Sequence, residues 1–284
     1  MGLYFLSEDV DGQFLENHVG EKEDGNLYKG DPRGTLQWRG AEVRFFKQEY
    51  EKANHEKADD WSDLIDFVYT LNNTAREEIR ERLDAMMDVD SAVALLALDL
   101  ASVNLDSYVG SGHNYYLYRR DSDHKFQFIP WDPNEAFGNF NLGMPLDELR
   151  SLPLFWQQRP QQMPGGPPLP PNATVPRPLA QRLWETPEFR MAYVKKVKWM
   201  IGGPLAVDAL IERMRVLQDL VRPWVEREQR SMFSLDQFSR SLSEDIRLGG
   251  PQQQPPPQII PGLELFLRAR VESLQQQVES EHIE

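Results

Sequence analysis

From Ser91 to Val103 the chain is apolar on more than one side of the helix that its spacing predicts. Val93, Leu95, Leu96, Leu98 and Leu100 cover several faces, and a helix without a clear polar face has to be surrounded by other elements. With 284 residues the chain is long enough to supply that surround as one large domain or two modest ones. Other helices are readable from their periodicity. Trp61, Leu64, Ile65, Val68 and Leu71 recur at helical spacing, and Asn73 or Thr74 can cap a helix over 75–87. A short helix is expected over 9–18, and further helices at about 179–184, 187–201 and 204–230. The last of these has an apolar face from Leu205 to Trp224, and a final helix covers about 263–281.

The strand signals are fewer. Tyr115–Arg119 and Lys125–Ile129 flank the turn residues Asp121-Ser122-Asp123, which predicts a hairpin that Pro130 ends. Gly25-Asn26 signals a tight turn before 27–30. Leu3–Leu6 reads as a strand without a preceding partner, so upstream sequence is expected. The architecture expected is α+β, a mainly helical body with a small β-hairpin set into it. Residues 157–178 hold eight prolines and a glycine pair and read as a polyproline-like insertion; 251–261 repeat the theme with Gln and Pro.

Composition excludes several function classes. A formal net charge of −14 repels nucleic-acid backbones and suits a basic partner, although surplus acid also simply confers solubility. There is no cysteine, hence no disulfide, thiolate nucleophile or cysteine metal site. No run of about 18 apolar residues predicts a membrane span. The histidines show no zinc spacing, and neither GxGxxG nor a Walker A pattern occurs. The sequons at Asn72 and Asn172 mean little without a secretory context.

Phosphoryl transfer needs a carboxylate that orients the attacking hydroxyl and oxygen ligands that hold Mg²⁺ on the phosphates. The stretch 104–138 presents such groups in a suggestive order. A buried helix ends near Val103, Asp106 follows, Asn114 comes eight positions later, and the hairpin then leads to Asp132. Loop Asp and Asn residues also serve as turn formers and caps, so order alone leaves both readings open.

The wording of the segment narrows them. Asn104-Leu105-Asp106-Ser107-Tyr108, Asn114-Tyr115-Tyr116-Leu117-Tyr118 and Ile129-Pro130-Trp131-Asp132, with Phe137-Gly138 beyond, resemble the N-x-D-x-Y, N-Y-Y-L-Y and I-P-W-D…F-G elements of the CotH family of atypical protein kinases. Gly2-Leu3-Tyr4, Glu8, Val10-Asp11, Phe14-Leu15 and 25–29 resemble that family's front end, and the likeness covers roughly 2–230. It implies a protein-kinase-like fold with a helical C-lobe over 31–250 and the N-lobe largely missing. Residues 1–30 would be a remnant of the nucleotide-binding lobe and hinge, and 251–284 a Gln/Pro-rich linker and C-terminal helix. It implies ATP with Mg²⁺ and phosphorylation of serine or threonine on a protein substrate, one that is basic and Ser-rich. Asp106 would be the catalytic carboxylate, Asp132 the principal metal ligand and Asn114 a second. Lys29, Glu8 and Trp131 would lie on the nucleotide. Where the family often has a second Asp after W-D, this chain has Pro133 and the neutral Asn134. The other reading is a pseudokinase or an assembly protein of a spore coat or cell envelope, locations that the family resemblance suggests. The compartment itself is left open.

Overall fold

The structure is a computed structural model that describes residues 4–22, 24–162, 169, 170, 172–228, 233–248 and 258–281. Parts of both Pro-rich stretches, 163–168, 171 and 251–257, lie outside the described residues, as do Gly2, Leu3 and His282.

In chain order the elements are α1 (Gly12–His18), β1 (Asn26–Lys29), α2 (Val43–Lys47), β2 (Glu51–Lys52), α3 (Ser62–Asn73), α4 (Ile79–Met86), α5 (Val89–Ala101), β3 (Tyr115–Arg119) and β4 (Phe126–Pro130). They continue with α6 (Leu146–Arg150), α7 (Pro178–Glu185), α8 (Pro187–Gly202), α9 (Val207–Val225), α10 (Leu235–Arg240), β5 (Ile246–Leu248), β6 (Gln258–Ile260) and α11 (Leu263–Ser280). The α+β class expected from the sequence is observed. The expected strand over Leu3–Leu6 is not. Tyr4, Phe5 and Leu6 are exposed and pair with no strand, and an extended run without a ladder partner leaves its backbone to water.

The apolar helix is α5. Asp88 caps its start by accepting from the Ser91 N–H at 3.0 Å. Ala92, Val93, Leu95, Leu96, Ala97 and Leu100 are all buried, and α5 packs against α8, α7, α11 and β4. Burying one Leu, Val or Phe side chain contributes about 1.5–3 kcal/mol, so this helix is the main apolar contributor to the body.

The predicted hairpin β3–β4 is half of a larger sheet. β1 pairs with β3 and β2 with β1, all antiparallel, in the order β2-β1-β3-β4. Strand alternation splits its side chains between two faces. Tyr28, Tyr115, Leu117, Phe126 and Phe128 join the core built on α3 and α5, where Phe67 meets Phe126 with ring centroids 4.9 Å apart. Leu27, Tyr116, Tyr118 and Ile129 face the other way, where Val10 and Leu15 at and just before α1 cover them. Residues 25–30 are therefore part of the same sheet as the hairpin.

The Gln/Pro-rich composition sets α11 apart in sequence, but in space the helix joins the main core through Phe266, Leu274 and Val278. Its Arg270 is 1% exposed and donates to the carbonyls of Leu100, Ala101 and Leu152. A guanidinium there adds a donor to carbonyls at the C-terminal end of α5 and complements the negative end of its dipole. Burial pushes the Arg270 pKa down to about 10, so it remains a cation at neutral pH. Among the described residues no helix is long and apolar enough to cross a membrane.

Candidate functional site

Three loops meet where α5 ends. The first, 102–114, leaves the helix through Val103, whose φ of 52° is left-handed and costly for a β-branched residue. It then coils tightly. Asn104 N–H donates to Asp99 O at 2.7 Å, Ser111 N–H to Leu105 O at 3.0 Å and Gly112 N–H to Ser107 O at 2.8 Å. The coil is so close at Gly110 that a Cβ there would fall 1.9 Å from Leu105 O. From outside the coil, buried Arg177 donates to Tyr108 O at 2.7 Å and to Gly110 O.

Inside the coil sits Asp99, 2% exposed, with one carboxyl oxygen lacking any hydrogen-bond partner. Burial pushes its pKa up to about 8, only partly offset by the Ser107 hydroxyl and the Val109 N–H facing it. Ser107 Oγ also donates to Asn104 O at 2.6 Å. Burial thus favours the neutral acid at Asp99.

Asp106 stands at the mouth of this coil. Ser111 Oγ donates to its Oδ1 at 3.0 Å, and His113 Nε2 lies 3.0 Å from the same oxygen. Asn114 Nδ2 donates to Asp106 O at 2.8 Å and to Oδ2 at 3.2 Å. Asn114 also ties this loop to the next one, because its own carbonyl accepts from Trp131 N–H at 3.1 Å. Asp132 follows in a left-handed conformation, φ 48°. It is exposed, and no hydrogen bond or ion pair holds its carboxylate among the described residues. The chain from 133 onward returns to α5, where Phe137 N–H donates to Ser102 O at 2.7 Å and Gly138 N–H to Val103 O at 3.2 Å. Asn114, Asp132 and Phe137 join Val103 among the left-handed non-glycine residues, so each of the three loop segments turns through a strained position.

The residues read from the sequence fall around one end of the sheet. Asp106, Asn114, Trp131 and Asp132 are linked through the Asn114 bonds. Lys29 reaches the same end on the outer face, since it pairs with Tyr116, and Tyr116 pairs in turn with Ile129. Trp131 sets its ring edge-on to Tyr116, centroids 5.5 Å apart at 88°. Lys29 Nζ is committed to Asp31 Oδ2 at 3.1 Å. Burial alone would lower the Lys29 pKa, but the Asp31 bond and the Tyr116, Asp31 and Glu51 charges outweigh it and leave the pKa raised. Glu8 is exposed, and its carboxylate faces His18 Nε2 at 2.9 Å.

Ser111, His113, Asp99 and Arg177 were given no role at the site by sequence reasoning. His113 reads as an ordinary loop histidine until the fold lays it on Asp106. Asp99 hides among leucines; a lone carboxylate in an otherwise apolar helix was the available signal. Arg177, three residues past a sequon and before a proline, has no local pattern that marks it as the clamp of a loop almost seventy positions earlier.

Mg²⁺ takes oxygen ligands in near-octahedral geometry and keeps several waters. The donors here fit that chemistry. Asp132 has a free carboxylate, and Asn114, with its amide nitrogen given to Asp106, retains its amide oxygen as a ligand. Among the described residues no cluster of three or more His, Cys, Asp or Glu could hold a metal alone. A magnesium ion at this place would complete its shell with phosphate oxygens and water.

An α+β body that sets two acidic loops against the end of a short sheet describes the class of protein. A family model described as CotH kinase protein matches residues 1–246, and the chain belongs to the CotH family. It is similar to the inner spore coat protein H of Bacillus subtilis (strain 168), with 22% identity over 193 residues, 67% of this chain and 46% of that protein. The chain thus spans about half the length of the curated relative it matches.

Proposed function

We propose that this chain carries the acceptor-activating and metal-binding part of a protein kinase that transfers the γ-phosphoryl group of ATP to serine or threonine of a protein. The observation that carries the reading is the double role of Asn114, whose side chain holds Asp106 and whose carbonyl holds the loop of Asp132. Two carboxylates joined through one residue suit a reaction in which one orients the hydroxyl and the other anchors the phosphate-bound cation. Magnesium, when bound, would supply charge neutralisation and alignment. Asp106 accepts the proton as the acceptor oxygen forms its bond to phosphorus and the bond to the ADP oxygen breaks. Asp132 and the Asn114 amide oxygen hold the cation. Lys29 and Trp131, on one sheet face, wall the nucleotide side. In this reading Glu8 belongs to the hinge beside the adenine.

The acidic charge of the chain favours a basic, Ser-rich substrate. Kinship with a spore coat protein suggests a role in a spore coat or cell envelope. The test is label transfer from [γ-³²P]ATP with Mg²⁺ to a Lys- and Ser-rich protein, comparing the full-length protein with its Asp132→Ala form. Label on the substrate with the first and not the second supports the reading; equal label with both contradicts it.

A second reading has its own observation. Asn134, exposed beside Asp132, brings no charge where the family often has a carboxylate, which suits a pseudokinase that serves assembly. Metal-dependent nucleotide binding without turnover would favour it.

A further inference from the structure

We infer that Ser111 and His113 are positioning residues that lock the Asp106 carboxylate so that only Oδ2 is offered to an incoming hydroxyl; the inference rests on the kinase reading above. An ionised carboxylate has about four acceptor positions, two on each oxygen. Ser111 Oγ donates to Oδ1 at 3.0 Å, with Ser107 O as its more distant alternative at 3.5 Å. His113 Nε2 stands 3.0 Å from the same Oδ1. That oxygen is therefore enclosed. Oδ2 receives only the Asn114 Nδ2 bond at 3.2 Å, which leaves it one acceptor position. The Asp106 side chain is still 23% exposed, so this position is reachable.

The three partners also fix the plane of the carboxylate. Rotation about its Cβ–Cγ bond would break the Ser111 and Asn114 bonds together. The backbone holds the partners in turn, since Ser111 N–H is tied to Leu105 O at 3.0 Å and Arg177 grips the carbonyl of Gly110, the residue before Ser111. A general base works only when its lone pair lies within hydrogen-bond reach of the proton it takes, and a displacement of about 1 Å can cost about 100-fold in rate. Ser111 and His113 touch neither phosphate nor acceptor in this arrangement. They act through Asp106, so their loss should lower kcat and leave KM unchanged.

The experiment uses the full-length protein, [γ-³²P]ATP with Mg²⁺, and a synthetic Lys- and Ser-rich peptide. Wild type and Asp106→Asn are measured first, and transfer by both alike, or by neither, removes the kinase reading and the inference with it. Given transfer that depends on Asp106, the Ser111→Ala/His113→Phe double variant should lose roughly 10- to 100-fold in kcat with KM for peptide and for ATP within about twofold. Ser111→Thr, which keeps the hydroxyl, should remain within about threefold of wild type, and His113→Gln, which keeps a side-chain nitrogen donor, should exceed His113→Phe. A double variant with wild-type kcat overturns the inference and leaves the kinase reading standing. So does equal loss in Ser111→Ala and Ser111→Thr, or a kcat loss that tracks a fall in Tm.

Discussion

Replacing Asp99 by Asn should stabilise the protein increasingly as pH rises from about 4 to about 8. Burial pushes this carboxyl up to about 8, whereas an aspartate in an unfolded chain titrates near about 3.9. Between those values the folded chain keeps a proton that the unfolded chain has released. Stability from this group is complete below the unfolded value and is lost as pH climbs toward the folded one. The slope is at most about 1.4 kcal/mol per pH unit, which over roughly four units sets a ceiling of about 6 kcal/mol. Asparagine has nearly the shape of the protonated acid and does not titrate. The two proteins should therefore melt together near pH 4, while at pH 8 the variant should be more stable by a few kcal/mol. A gain of about 2 kcal/mol corresponds to about 4 °C or more in Tm for a chain of this size. Calorimetric melts of both proteins at pH 5, 6, 7 and 8 measure the gap directly. A gap that stays constant across this range, or narrows as pH rises, would refute the buried neutral acid.

Arg270→Met keeps the apolar stem and removes the guanidinium from the carbonyls of Leu100, Ala101 and Leu152, of which Leu100 O keeps the Val103 N–H and Leu152 O keeps Gln277 Nε2, so a loss of about 1–3 kcal/mol in urea unfolding is expected; a loss under about 0.5 kcal/mol would contradict the clamp. Gly110→Ala drives a methyl into the Leu105 backbone and must shift the coil between Asp106 and Asn114, so phosphoryl transfer should fall by about 100-fold, read in the same label assay, and unchanged transfer would count against the tight coil. Expressed in a glycosylating host, the protein should carry glycan at exposed Asn172 and not at Asn72, because the Asn72 amide already donates to Leu36 O at 2.8 Å and Val68 O at 2.7 Å. Peptide mass spectrometry decides between the two sequons.

Local signals carried much of this fold. The leucine-rich run predicted a buried α5, and Asp121-Ser122-Asp123 predicted the β3–β4 hairpin to within a residue at each strand. What local patterns miss is pairing at a distance. β1 lies next to β3 although almost ninety residues separate them, and a four-residue strand has too short an alternation to announce itself. β5 and β6 are three residues each and could be recognised only through one another. Tyr4, Phe5 and Leu6 show the opposite error, an apolar run that suggests a strand but finds no partner. At the site, family wording pointed to Asp106, Asn114 and Asp132, and the fold brings them to one sheet end. Ser111, His113 and Asp99 belong there for reasons of contact alone, which no spacing in the chain expresses.

Electron paramagnetic resonance of Mn²⁺, standing in for Mg²⁺, gives the shortest route to the claim on which the rest depends. With a non-hydrolysable ATP analogue present, the full-length protein should immobilise the ion, and the Asp132→Ala form should leave it free in solution. If the ion is bound equally by both, the carboxylate at 132 does not hold a nucleotide-linked cation, and the kinase assignment of this site is wrong.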